Sequence, residues 1–296
     1  MPRKPSQRRR LPNRRTLLKA GCWGGLGLGL HGWSLAELLR AGSEGTVLYN
    51  GIRLPSPWPP RPASFSREPV TPPYLDAPPD VIPIDVGRQL FVDDFLIEKT
   101  TLRRTFHLTS FHPDTPVLRP DKPWEKESGP TAMVFSDGVW YDPKDRLFKM
   151  WYMGGLTRAT CYATSTDGIR WEKPTLDVKP GTNVVQAEPR DSVTVRLDHA
   201  EKDTKRRFKL ARSWRLNKGW GLHLYASADG IHWRDAVATS GPCGDRTTVF
   251  YNPFRKVWVY SLRGDAGSHG RVRHYREHAD LFAGANWKAE IGRAHV

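Results

Sequence analysis

Cysteine is scarce in this chain of 296 residues: three in all. One of them, Cys22, lies in an N-terminal segment that reads as an export address. Only Cys161 and Cys243 remain for the body, too few for a disulfide framework. Acid is also short, with 31 Asp and Glu against 46 Lys and Arg and a formal charge of +15. That excess is uneven. Residues 1–42 hold nine bases and one acid (Glu37), leaving about +7 on everything that follows. A surplus so mild and dispersed argues against a nucleic-acid partner. Apolar runs of membrane-spanning length are missing; the longest uncharged stretch, residues 20–36, is marginal for a span. Metal-ligand spacing is missing too, since His107 and His112 have no partners at helix-type intervals, and no metal is expected. The glycine runs fall in the N-terminal segment, so no phosphate-cradling loop and no cofactor are implied. After residue 84 no long amphipathic helix can be traced.

What is present begins with an address. Asn13-Arg14-Arg15-Thr16-Leu17-Leu18-Lys19 resembles a twin-arginine export signal, and the Gly- and Leu-rich stretch behind it has the moderate hydrophobicity such signals need. Glycine at that density disfavours the alternative of an ordinary amphipathic helix. Cys22 sits at the start of the apolar run, not its end, which disfavours a lipid anchor. Residues 1–42 are therefore read as the signal and the mature protein as periplasmic or extracellular, with no stable membrane span. Residues 43–83 follow as a Pro-rich linker, in which Pro55, Pro57, Pro59, Pro60, Pro72 and Pro73 fix φ and remove backbone donors.

The body repeats itself. Ser165-Thr166-Asp167-Gly168-Ile169-Arg170-Trp171 returns 62 positions later as Ser227-Ala228-Asp229-Gly230-Ile231-His232-Trp233, each after an alternating strand pattern. Asp-Gly between β-rich runs signals a hairpin turn, because glycine supplies the positive φ. The Trp is expected to cap the unit by packing between sheets, and a degraded third copy ends at Trp287. Upstream, Tyr141-Asp142-Pro143 before Phe148-Lys149-Met150-Trp151 matches Leu197-Asp198-His199 before Phe208-Lys209-Leu210 and Tyr251-Asn252-Pro253 before Trp258-Val259-Tyr260. Each unit reads as four antiparallel strands, which is a propeller blade. The competing all-β reading is a β-sandwich, which a regular repeat disfavours.

Gly87-Arg88-Gln89-Leu90-Phe91-Val92-Asp93-Asp94-Phe95-Leu96-Ile97, Phe148-Lys149-Met150-Trp151-Tyr152, the two Ser-x-Asp-Gly-Ile-x-Trp turns and Gly244-Asp245-Arg246 together resemble exported bacterial glycosyl hydrolase family 32-like proteins. That group belongs with the five-bladed β-propellers of glycoside hydrolase families 32, 43 and 68. The resemblance covers residues 84–290 and implies an all-β, five-bladed propeller, with about three blades and a leading strand present. The last six residues, 291–296, match the translation of a common sequencing adapter and are read as foreign to the fold, so the propeller is expected to be truncated.

The same resemblance implies a carbohydrate substrate at the mouth of a funnel lined by each blade's innermost strand. The innermost strand should be the first of each repeat. Asp137, Asp191 and Asp245 lead those three strands and are the candidate catalytic residues. Hydrolysis with inversion needs an acid and a carboxylate about 6.5–9.5 Å apart, which acids on neighbouring blades can supply. Arg190-Asp191 resembles the Arg-Asp element of the family 32 site, although Ser192 replaces the usual proline. Asp245-Arg246 stands where a general-acid Glu is expected. Glu127 is an alternative acid of the first blade. Arg246, Arg158 and Arg263 are candidate substrate-binding residues through bidentate contacts. Trp214 is a candidate sugar platform beside Trp220, although packing between blades is a competing role. Two functions remain open: a glycoside hydrolase acting on extracellular glycan, and a non-catalytic propeller that binds glycan or a partner.

Overall fold

A computed structural model describes residues 89–216, 219–265, 270–288 and 292–293, with shorter pieces between residues 45 and 85. The signal segment and much of the Pro-rich linker lie outside the described residues.

Among the described residues twelve strands form three four-stranded antiparallel sheets, each running in sequence order. The first contains β1 (Ala132–Asp142), β2 (Leu147–Gly154), β3 (Ala159–Ser165) and β4 (Val184–Gln186). The second contains β5 (Val193–Leu197), β6 (Phe208–Leu216), β7 (Gly219–Ser227) and β8 (Ala238–Thr239). The third contains β9 (Thr248–Asn252), β10 (Val257–Asp265), β11 (Arg271–His278) and β12 (Gly292–Arg293). Gly292 and Arg293, from the six-residue ending, pair with Tyr275 and His274 in the fourth-strand position. The all-β expectation and the four-strand unit are both met.

The sheets stack face to face because β2 is buried on both sides. Trp151 enters a layer shared with Val193, Val195, Phe208 and Leu210 of the second sheet, while Met150 and Tyr152 face Trp124, Trp171 and Leu118 on the other side. Losing so large a side chain from a core costs about 3–5 kcal/mol. A further layer joins Leu222 and Leu224 of the second sheet to Trp258, Tyr260 and Trp287 of the third. Trp287, which ends the degraded third repeat, thus packs between sheets. Trp233 does the same between the first and second, whereas Trp171 covers the outer face of the first.

The first strands lie side by side. The Ser136 hydroxyl donates to the Val193 carbonyl at 2.8 Å, the Trp140 indole to that of Val195 at 2.7 Å, and the Ser192 hydroxyl to that of Thr247 at 2.9 Å. A second seam holds the opposite ends. Lys149 Nζ is buried between Asp142 (2.9 Å) and Asp145 (2.5 Å), beneath the Phe208 ring of the next sheet. Lys209 repeats this with Asp198 (2.6 Å), Glu201 (2.9 Å) and the Trp258 ring. In the third sheet the equivalent positions are Asn252 and Val259. Both charges disappear together there, as expected where a buried ammonium without a carboxylate would be costly.

The structure corrects two expectations. The Asp-Gly turns form as read: the Ser165 hydroxyl accepts the Gly168 amide and the Asp167 carboxylate those of Ile169 and Arg170, with the Gly168 φ at 77°. They do not, however, close a two-residue hairpin: the strands on either side, β3 and β4 or β7 and β8, pair antiparallel but across longer connections. A single bridge, Thr164 to Glu172, closes over the first turn, a second, Leu176 to Thr182, follows, and β4 begins at Val184. Nor do residues 89–131 supply a leading strand. Apart from one helical turn at Pro123–Glu125 they have no regular structure, and Leu90, Phe91, Val92, Leu102, Phe106 and Leu108 are exposed. An extended segment without a hydrogen-bonding neighbour is not a strand.

Candidate functional site

In every sheet the first strand starts at the end where the second and third strands turn. Arg158 in the β2–β3 turn, Trp214 near the β6–β7 turn and Arg263 near the β10–β11 turn therefore share one end of the sheets with Asp191 and Asp245.

Asp137 departs from the expected pattern. It does not lead β1, because Ala132 and Met133 already pair with Gly154 and Met153; it sits inside an irregularity that ends at Gly138, whose φ is 131°. Counted back seven positions from the turn residues Asp142, Asp198 and Asn252, the matching residues are Phe135, Asp191 and Asp245. Phe135 thus takes the place of the third acid.

Each of the three aspartates meets an arginine. Arg190 grips Asp137 with both terminal nitrogens, Nη1 on Oδ1 and Nη2 on Oδ2 at 2.8 Å, and neither side chain reaches solvent. Burial pushes the Asp137 carboxyl above its usual range, against the opposing pull of the Arg190 charge. The Nε of Arg190 donates to the Asp191 carbonyl at 3.1 Å. Asp191 in turn accepts the Arg246 amide at 2.8 Å and lies 3.3 Å from Arg246 Nε. Asp245 lies 3.3 Å from Arg263 Nε. Asp137 and Asp191 are thereby linked through Arg190, and Asp191 to the neighbour of Asp245 through Arg246. Side-chain exposure separates them: none for Asp137, 10% for Asp191 and 30% for Asp245. Only the last two keep any side-chain exposure.

A cavity of about 410 Å³ opens at these strand heads. Phe135 and Ser136 reach it from the first sheet, Ser192 from the second, and Arg246, Thr248, Arg263, Arg271 and Arg273 from the third. Arg246 holds a φ of 58°, uncommon outside glycine, and its guanidinium lies 4.8 Å from the Phe135 ring centroid. The hydrogen bond from its amide to Asp191 fixes that conformation. Of the candidate binding residues, Arg246 and Arg263 line the cavity. Arg158 does not; its Nη2 lies 3.6 Å from Glu127, the alternative first-blade acid, and both are half-exposed. Trp214 does not either; it meets Trp220 edge-on at 5.5 Å.

Phe135, Arg271 and Arg273 were not legible as site residues. Only the seven-residue spacing to Asp142 could have pointed to Phe135, and nothing local marks the two arginines. Cys161 and Cys243 are both unpaired. Burial, with Glu125 adding to it, pushes the Cys161 thiol up to about 12. Among the described residues no three His, Cys, Asp or Glu side chains gather to hold a metal ion, and no helix is long and apolar enough to cross a membrane.

The sheets and strand heads define an all-β protein of stacked four-stranded antiparallel sheets with an arginine-lined cavity at the heads of their first strands. No family model and no curated protein match the chain. Among solved structures it is similar to an endo-1,4-β-xylanase from Bacteroides thetaiotaomicron VPI-5482, at 12% identity and a TM-score of 0.37, over 53% of this chain and 52% of that one. It is also similar to a thermostable family-43 glycoside hydrolase (13%, TM-score 0.39, 56% and 54%) and to the Bacteroides ovatus xyloglucan PUL GH43B (9%, TM-score 0.33, 54% and 30%). The chain spans about half the length of the first two and less than a third of the last.

Proposed function

We propose that the three sheets are consecutive blades of a five-bladed glycoside-hydrolase-type propeller acting on extracellular glycan, with the cavity at the strand heads as its sugar site. One observation carries this reading: Asp191 and Asp245, at matching places in successive sheets, stand directly behind arginines that line the same cavity. The two supply the acid and the base, working by proton transfer to the leaving oxygen and from water. Asp137, sealed from solvent by Arg190, is a positioning residue: Arg190 spans from its carboxylate to the Asp191 backbone.

A second reading, a glycan-binding propeller without catalysis, is favoured by the arginine beside every one of the three aspartates. Soluble polysaccharides tested in parallel by affinity electrophoresis and by release of reducing ends separate the two. Retention with release supports the hydrolase, retention without release supports the binder, and neither retention nor release across plant, algal and microbial glycans contradicts both.

The same reading carries the protein out of the cytoplasm by the twin-arginine route. A reporter fused after residue 80 should reach the periplasm, and Arg14→Lys with Arg15→Lys should stop it. Unchanged export of the double variant would refute that assignment.

A further inference from the structure

We infer that the cavity selects a sugar carrying an anionic group, a uronate carboxylate or a sulfate ester. This rests on the reading of the cavity as a glycan site and narrows it to a substrate class.

The cavity's charge is the first reason. Four arginines, Arg246, Arg263, Arg271 and Arg273, are among the described residues that line it, and no Asp or Glu is. Two of them have a counter-charge behind them, Asp191 for Arg246 and Asp245 for Arg263. Among the described residues Arg273 donates to backbone carbonyls, those of Arg246 at 2.8 Å and Ser261 at 3.2 Å, which orient it without neutralising it. Arg271 faces Asp265 in the β10–β11 register, with no ion pair between them. Arg273 is therefore a positive charge of the cavity beyond those that neighbouring aspartates face.

Presentation is the second reason. Arg246 and Arg263 each turn Nε toward an aspartate, and among the described residues their terminal nitrogens have no protein partner. A guanidinium whose Nε faces a carboxylate keeps its terminal nitrogens as a planar fork, the geometry that a carboxylate or sulfate accepts bidentately. Arg246 is held in a left-handed backbone conformation to stand there, over the Phe135 ring. Phe135, with Val272, gives the cavity an apolar wall against which the ring of a sugar can lie while its anionic substituent faces the arginines. A neutral sugar would leave those donors facing no counter-charge.

Titration calorimetry of the full chain tests this with matched pairs of probes. Tetragalacturonate and its methyl ester differ in the carboxylate charge and the small ester methyl that replaces it; a sulfated galactan oligosaccharide and its desulfated form differ in the sulfate. At least one anionic member should bind about tenfold or more tightly than its neutral partner, the scale of one charge-assisted contact. Which pair shows the preference identifies the source of the charge. Arg271→Gln and Arg246→Gln should each remove most of that preference. Equal affinity within both pairs, unaltered in Arg271→Gln, would overturn the anionic selectivity while leaving a glycan site standing. No binding of any of the four, with other neutral glycans retained, would overturn it equally. No retention of any glycan would overturn the glycan site itself.

Discussion

Both terminal nitrogens of Arg190 engage the carboxylate of Asp137 in an ion pair with no solvent exposure on either side. It fastens the irregular stretch of β1 to the segment that opens the second sheet. A buried pair of this kind is not strong evidence of net stabilisation, but breaking it strands a charge, at a cost of about 3–5 kcal/mol. Arg190→Met and Asp137→Leu should each lower unfolding free energy on that scale in urea titrations. The double variant should lose clearly less than the two singles added together. Strict additivity would show that the two side chains are not coupled.

Lys209 and Asp198 carry a prediction written into the protein's own third repeat. Asn252 and Val259 replace the charged pair there, so the fold accepts the neutral combination. Lys209→Val alone leaves Asp198 without its ammonium partner, and Asp198→Asn alone leaves Lys209, only 4% exposed, with Glu201. Each should cost about 3 kcal/mol. Making both changes should restore at least half of the larger loss, measured as the shift in denaturation midpoint at constant slope. A double variant less stable than either single would contradict the pairing.

The Asp-Gly turns set opposite pH dependences. Asp167 is drawn down to about 2, chiefly by the amides of Arg170 and Ile169. Asp142 is held below its usual value because hydrogen bonds from Lys149 and Arg207 outweigh its burial. Carboxyls with depressed folded values stabilise the fold above their unfolded pKa of about 3.9, and that contribution is lost as pH falls through the folded value. His232 has the reverse sign. Hydrogen bonding to Asp229, at 2.7 Å, and then to Asp177 of the first sheet's loop, at 3.0 Å, raises it. Its contribution is complete below about pH 6.5 and is lost as pH rises through the folded value. The Tm should therefore fall more between pH 6 and pH 8.5 in the parent than in His232→Gln. Parallel slopes would remove this bridge from the account.

The repeat period was legible because its signals are local. Ser165, Asp167 and Gly168 satisfy one another within four residues, and the second copy does the same wherever the chain goes next. The arginine cavity was not, because Arg271 and Arg273 join Arg246 only through the register of β10 and β11. Asp137 misled for a related reason. An irregularity between Met133 and Gly138 shifts the apparent head of the strand, so an acid inside β1 looked equivalent to acids that precede β5 and β9. The remote fourth strands β4 and β8 are two or three residues long, too short for alternation to mark them.

Turnover in Asp191→Asn and Asp245→Asn measures the central proposal most directly. Asparagine keeps the shape of each side chain and can still accept the Arg246 amide at residue 191, so folding should change little. Proton transfer is lost, and each variant should release sugar from a retained glycan about a hundredfold or more slowly than the parent. Their circular dichroism and Tm should match the parent's. Parent-like turnover in both variants, or no release by the parent from any glycan it retains, would contradict catalysis by this pair.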